Sequence, residues 1–419
     1  MLSIDYIREN VEKVKLASKN KNREVDIDKI LTLDIQRREI IQQVQKLREE
    51  RNVLAKSTFT SEVKERGIAI KNELKIIEEK LNAIEATIQT EISKVPNIPL
   101  DEVPIGKDSN DNKIIKTWKE PTQFKFTPKS HIDLGIALDL IDFERASKVS
   151  GSRGYFLKNQ LASLHVGLMF YVLQQLSKKG YTPIIAPSIV KGFTLFGTGQ
   201  FPWGEPEVYK TNDDDSYLAG TAEVPVTSYY SDEILNEADL PKKFVAFSPC
   251  FRKEAGAYGK DTKGLYRVHE FWKIEQVIIG KNDITQARDL HEELQKNAEG
   301  ILESLDLPYR VLLMCTGDMG EPQMKKYDTE TWMPSRNDYG ETMSNSIMGD
   351  FQTRRLNIKY RNSEGKTEYC YSYNNTALAS PRILIAILEN YQQEDGSIKI
   401  PKVLQGLCGF DKISFKKLA

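Results

Sequence analysis

Along the first quarter of the chain, apolar residues recur three and four positions apart. Ile30, Leu33, Ile40, Val44, Leu47 and Leu54 form one run, with Arg37 and Arg51 occupying two of its steps. Ile70, Leu74, Ile77, Leu81, Ile84 and Ile88 form a second, which Val95 completes. Steps of three and four place these side chains in one stripe of a helix, and a stripe this long is a coiled-coil seam. Between the runs lies KSTFTSEVKERG, polar and ending at Gly67, where the chain is expected to reverse. Residues 28–95 therefore predict an antiparallel helical hairpin, each arm on the order of 40 Å long at ~1.5 Å per residue. Arg37 and Arg51 either snorkel out of the seam or meet phosphates along the arm. Lys46, Arg48, Lys56, Lys64, Arg66 and Lys71 gather towards the tip, but Glu49, Glu50, Glu62 and Glu65 interleave with them, as on any solvated face. So narrow a hairpin has little core and exists to reach something. Nucleic acid and a partner helix both fit.

VPNIPLDEVPIGKDSNDN, rich in Pro, Asp, Asn and Gly, then marks a boundary near residue 105. The expected domains are 1–105 and 106–419. Beyond the boundary, helical patterns over 159–179, 283–304 and 381–392 mix with short apolar strands at 243–252, 265–279 and 308–315. They lack regular βαβ alternation. The pattern predicts an α+β body, an antiparallel sheet with helices against it.

Composition narrows the picture only slightly. A chain of 419 residues with 40% hydrophobic content suits a two-domain globular enzyme, and a net charge of -1 neither requires nor excludes nucleic acid. Cys250, Cys315, Cys370 and Cys408 lie far apart with no CxxC pair, so neither structural zinc nor a disulfide framework is expected. MLSIDYIREN carries charges where a secretory signal needs an apolar run, and no stretch reaches the length of a membrane span. A cytoplasmic protein is the expectation. GxxxxGK[ST] and GxGxxG are both absent, which argues against ATP held in a P-loop or Rossmann manner.

The chemistry concentrates in FRKEAGAYGKDTKGLYRVHEFWKIE, residues 251–275. Arg252, Lys260, Lys263 and Arg267 offer the positive charge a polyphosphate needs, and Glu254 and Glu275 offer acceptors suited to an amine. Gly256, Gly259 and Gly264 let backbone come close to a ligand. Phe251, Tyr266, Phe271 and Trp272 are too apolar for a free loop, so buried strands should flank it. Charges on buried strands need partners, and a ligand carrying a nucleotide and an amine supplies them. A solvated hairpin with scattered charge is the plainer alternative.

These residues, taken with GTGQFP, AGTAEVPV, TGDMG, DFQTRRLNIKYR and ILENYQQEDGSIKIPKVLQ, resemble the seryl-tRNA synthetases, class II aminoacyl-tRNA synthetases of the common bacterial and eukaryotic type. The resemblance runs over nearly the whole chain. It implies an antiparallel sheet flanked by helices, a homodimer, and an N-terminal tRNA-binding hairpin. The helix after Lys158 with the strand ending at Pro187 is similar to the first class II motif, which builds the dimer interface. In the second motif, Arg252 corresponds to the arginine that grips the α-phosphate of ATP and the serine carboxylate. Lys253 stands beside it on the ATP side, Glu254 faces adenine, Arg267 the γ-phosphate, and adenine stacks on Phe271. His269 is read as structural. In the third motif, NNTALASPR replaces the family's usual NGSGLAVGR. Arg382 keeps the place of the γ-phosphate arginine, and Pro381 fixes the first turn of the following helix.

Upstream, GETMSNSIMGDFQ departs most from the family pattern but retains Glu341 and Ser344. The resemblance assigns Glu341, Thr342, Met343 and Ser344 to ATP. It makes Glu341 and Ser344 the ligands of a Mg²⁺ that joins the phosphates. It assigns serine to Thr221, Ala222, Glu223, Arg252, Glu275 and Thr376, with Arg252 and Arg382 as the catalytic pair. The implied activity is serine–tRNA ligation: ATP and L-serine give seryl-adenylate, and tRNA(Ser), with tRNA(Sec) as a second acceptor, takes the seryl group. The basic loop from Gly256 to Gly264 becomes a flap that meets ATP and then the tRNA end. Two rivals remain: a class II paralogue that charges a carrier protein or supplies a specialised pathway, and a non-catalytic coiled-coil interaction protein.

Overall fold

The computed structural model describes residues 1–415 except 59, 214 and 256–262. Gly256, Gly259 and Lys260, and most of the loop assigned as a flap, lie outside the described residues. The chain divides into two compact units, Met1–Ile98 and Pro99–Ala419.

In the first unit, two short helices, Ile4–Glu9 and Val11–Asn20, precede two long ones, α1 (Ile27–Leu54) and α2 (Ser61–Ile92). Asp26 caps α1, its side chain accepting from the Lys29 amide. Thr60 caps α2 in the same way through the Val63 amide, so the second arm begins at Ser61. The reversal therefore takes only the start of the polar segment, and Gly67 already lies inside α2. Val44, Ile70 and Leu74 form the buried seam of the outer arm, flanked by Ile40, Leu47, Leu54 and Ile77. At the base, Ile27, Ile30, Ile88, Ile92 and Val95 pack with Ile7 and Val14.

The seam also holds a charge that its period did not reveal. Asp34 is fully buried. Arg8 reaches its carboxylate at 3.0 Å, Arg37 at 2.8 Å and Arg38 at 3.2 Å. Arg37 thus stays at the seam because a buried carboxylate needs a cation, whereas Arg51 is exposed. Towards the tip, Arg66 bonds both Glu50 (2.7 Å) and Glu73 (3.0 Å), and Arg48 bonds Glu78 (2.8 Å).

The second unit is built on an eight-stranded sheet. Its strands are β1 (Lys113–Trp118), β2 (Thr182–Ile185), β3 (Lys242–Phe251), β4 (Glu270–Gly280), β5 (Tyr309–Leu313), β6 (Lys325–Met333), β7 (Asp338–Gly349) and β8 (Tyr371–Ser380). They lie in the order β1-β5-β6-β7-β8-β4-β3-β2. Every pairing is antiparallel except β2 with β3, which is parallel. Three helices, α3 (Asn159–Lys178), α4 (Ile284–Ser304) and α5 (Arg382–Asn390), share one large apolar cluster with the sheet. Strand alternation then divides the side chains by face. Ile274 and Ile278 of β4 join the helices in that cluster, and Gln276 bonds the Leu294 carbonyl of α4. The odd-numbered residues of β4 face the other way. Tyr266, expected in a strand, precedes β4 in a loop.

Candidate active site

On that second face, Phe271, Lys273 and Glu275 project in succession from β4, and the register sets Glu275 beside Thr376 of β8. Together with the end of β3, they line a cleft of two joined cavities, about 270 Å³ and 600 Å³. Arg252, Glu254, Lys273, Glu341, Thr376 and Arg382 border both.

Thr221, Glu223, Glu275 and Asn374 line only the larger cavity. Its polar groups are buried and bonded to one another. The Lys273 ammonium donates to Thr221 Oγ1 at 2.6 Å and to Thr376 Oγ1 at 3.4 Å, and pairs with the Glu275 carboxylate. The Thr376 hydroxyl donates in turn to Glu275 at 3.2 Å. Glu223 accepts from Gln352 at 2.7 Å and Asn374 at 2.8 Å through one carboxylate oxygen. Burial, and then the neighbouring Glu275 charge, push the Glu223 carboxyl up to about 7.

Phe271, Lys326, Thr342, Met343 and Pro381 line only the smaller cavity. The arginines that border both cavities bond mainly to carbonyl oxygens. Arg252 Nε donates to the Gly220 carbonyl at 3.3 Å, and its guanidinium lies 5.1 Å from the Phe271 ring centre. Arg382 donates to the Tyr266 carbonyl at 3.2 Å and the Glu341 carbonyl at 2.7 Å. The Tyr266 ring has two guanidiniums over it, those of Arg382 and Arg336, each 4.3 Å from its centre. Arg267 reaches Glu254 at 3.1 Å. Glu254 itself has a φ of 54°, a left-handed conformation uncommon for a side chain of its size and one that concentrates at functional sites. Burial raises the Glu341 carboxyl, but Arg382, Lys326, Arg252 and Arg267 outweigh it and hold it below its ordinary range. Glu341 and Ser344 border both cavities. One ionised carboxylate and one hydroxyl suit an ion that completes its shell with phosphate oxygens and water, as Mg²⁺ does.

Two expected residues lie apart from the cleft. Ala222 is fully buried among Ala186, Val226, Phe244 and Val277. The Lys253 ammonium stands 5.8 Å from the Tyr209 ring centre, and its backbone amide bonds the Glu207 carbonyl. The Thr342 hydroxyl turns to Thr331 at 2.7 Å, and the Met343 side chain enters the main core. His269 accepts the Arg252 amide on its carbonyl at 2.9 Å and places Nδ1 3.0 Å from the Arg252 carbonyl, so it fixes the backbone at that arginine. Sequence reasoning missed Lys273, Gln352, Asn374 and Lys326. Lys273 had a signal: Phe271 and Glu275 were both placed in the site, and strand alternation sets the residue between them on the same face.

Comparison with known proteins agrees over the whole chain. Residues 1–99 match the seryl-tRNA synthetase N-terminal domain, and residues 207–391 the class II tRNA synthetase core domain of the G, H, P, S and T enzymes. The serine–tRNA ligase of Symbiobacterium thermophilum is 44% identical over 99% of this chain and 100% of its own length. That of Treponema denticola is 43% identical over the same shares. The crystal structure of seryl-tRNA synthetase from Pyrococcus horikoshii complexed with ATP superposes with a TM-score of 0.93 at 38% identity, covering 100% of both chains. The cytoplasmic serine–tRNA ligase of Naegleria fowleri in complex with AMP gives 0.89 at 31% identity, covering 100% of this chain and 99% of that one. A buried pocket of amine and hydroxyl acceptors opening onto an arginine-lined cavity, in a chain alike from end to end, places this protein in the seryl-tRNA synthetase family, the serine–tRNA ligases among the class II enzymes.

Proposed function

We propose that this chain condenses L-serine with ATP to seryl-adenylate in the described cleft and passes the seryl group to the 3′ end of tRNA(Ser). The supporting observation is the contrast between the cavities. The larger alone holds Thr221, Glu223 and Glu275 as partners for a small amino acid's ammonium and hydroxyl, and the smaller alone holds the Phe271 ring and Lys326. Arg252, Arg267 and Arg382 line both, and offer their charge to phosphates where the two join.

Serine enters with its ammonium towards Thr221, Glu223 and Glu275 and its hydroxyl towards Thr376 and Glu275. Such a pocket rejects alanine because its buried polar groups would lose their partners. Arg252, standing where the cavities join, holds the serine carboxylate against the α-phosphate. A carboxylate oxygen bonds the α-phosphorus as the bond to the β-phosphate oxygen breaks, releasing pyrophosphate. The fork of Arg252 offsets charge on the phosphorus oxygens, and Arg382 and Arg267 offset it on the outer phosphates. Adenine lies between the Phe271 face and Glu254. Glu341 and Ser344 would hold a Mg²⁺, whose charge would add to the neutralisation of the phosphates. No side chain forms a covalent intermediate; alignment and charge do the work. In the second step the terminal ribose hydroxyl bonds the seryl carbonyl carbon, and AMP leaves.

Three further readings accompany this one. The hairpin of α1 and α2 contacts tRNA through phosphates and shape, and tRNA(Sec) shares that contact as a second acceptor. The enzyme is a homodimer. Ile185 is 79% exposed on β2, an edge strand of the sheet, and Ile189, which follows, is 63% exposed, apolar surface that a second copy would cover. It works in the cytoplasm; among the described residues no helix is long and apolar enough to cross a membrane.

Amino-acid-dependent ATP–pyrophosphate exchange tests the reading. Exchange with serine is expected, with alanine and threonine slower by orders of magnitude. No exchange with any of the three would sink it, and exchange with serine but no transfer to tRNA would point to a different acceptor.

A further inference from the structure

Lys325 and Lys326 are neighbours on β6 with opposite surroundings. Lys325 faces the helices, 3.7 Å from Glu102 and 3.9 Å from Glu292. Lys326 faces the cleft and lines the smaller cavity with Glu341, Ser344 and Arg382. Asp328, two residues along the same face and paired in register with Ser344, accepts from its ammonium at 2.8 Å. Asp328 is the only hydrogen-bond acceptor of that ammonium among the described residues. An ammonium has three donors, so two are left for a ligand. Burial opposes the charge of Lys326, but Asp328 and Glu341 outweigh it and raise its pKa, so it is a cation at neutral pH. Lys326 is absent from the lining of the larger cavity, where Thr221, Glu223 and Glu275 lie.

We propose that Lys326 is a further phosphate-binding residue, donating to the β- or γ-phosphate of ATP and to the departing pyrophosphate. This rests on the reading of the smaller cavity as the nucleotide side and adds a cation to it from a strand that carries none of the assigned motifs. Asp328 holds the ammonium ready beside Glu341, and the incoming phosphate takes the free donors without breaking that pair. The plainer alternative is that Lys326 exists only to neutralise a buried aspartate.

The test uses full-length K326M, K326R, D328N and the K326M/D328N double variant. ATP affinity is read by calorimetry without serine, and the KM values of ATP and serine are read in pyrophosphate exchange. Loss of a charge-assisted phosphate contact is expected to weaken ATP roughly 10-fold in both K326M and the double variant. K326R should restore most of it, and the serine KM should hold within about twofold. Should K326M fail to fold, the double variant, which removes both charges together, decides. ATP affinity at the wild-type value in the double variant would overturn the proposal, as would equal losses for ATP and serine. If the wild type binds ATP but shows no serine-dependent exchange, the serine reading fails while calorimetry still decides the role of Lys326. A wild type that binds no ATP overturns both.

Discussion

In the larger cavity Glu223, Lys273 and Glu275 are buried, and each bonds another side chain. Where the two cavities join, Arg252 and Arg382 lie nearer solvent and bond carbonyl oxygens. The two arrangements suit two tasks. A closed network of buried, mutually bonded side chains cannot shift to fit a wrong amino acid, so its unmet bonds count in full against one. A forked arginine on a long stem can leave a carbonyl for a phosphate and follow the charge as the reaction proceeds. The cleft selects with buried groups and reacts with solvent-facing ones.

Arg252→Ala should divide the two most sharply. Removing the fork at the join of the cavities is expected to lower kcat of serine-dependent exchange about 10²–10³-fold, the usual cost of one preorganised transition-state donor. Rapid-quench measurement of adenylate formation reads this directly. A change confined to the serine KM would show that Arg252 only binds substrate. Glu275→Gln comes next. It keeps size but gives up the charge that faces an ammonium, so kcat/KM for serine should fall roughly 10- to 100-fold with the ATP KM unchanged. An equal rise in the ATP KM would erase the distinction between the compartments.

The sequence made the nucleotide side easier to read than the amino-acid side, for a physical reason. Arg252, Glu254 and Arg267 sit in one short segment, where a cluster of charge is visible as such. Glu223, Gln352 and Asn374 come together only because folding brings three distant segments to one carboxylate oxygen. No local pattern encodes that meeting. The same limit applied in the helical hairpin. Its three-and-four period was plain, but Asp34 and its three arginines break the period, and Arg8 comes from a separate helix. The start of α2 was misjudged because Gly67 outweighed Thr60, although a threonine before an acidic turn is the stronger boundary signal.

Glu223→Gln should change serine binding the least, by a few-fold and only against pH, with its larger effect on stability. The folded carboxyl titrates at about 7, whereas in the unfolded chain it takes its ordinary value of about 4.3. Between those values the folded protein holds a proton that the unfolded chain has released. Its contribution to stability is therefore fully present below the unfolded value and lost as pH rises through 7. Glutamine keeps the shape without the titration. Subtracting the variant's curve from the wild type's cancels every group that does not interact with Glu223, and the difference in stability should fall with rising pH, by on the order of 3 kcal/mol at most between pH 4 and 8. Serine reverses the preference, because its ammonium favours the ionised carboxylate. Wild-type serine affinity should thus improve a few-fold from pH 6 to 8, and that of the variant should stay flat over the same range. Parallel melting curves with parallel affinities would mean that Glu223 is already ionised in the empty pocket. The amino-acid side would then hold its charge as the nucleotide side does, and the contrast between them would rest on burial alone.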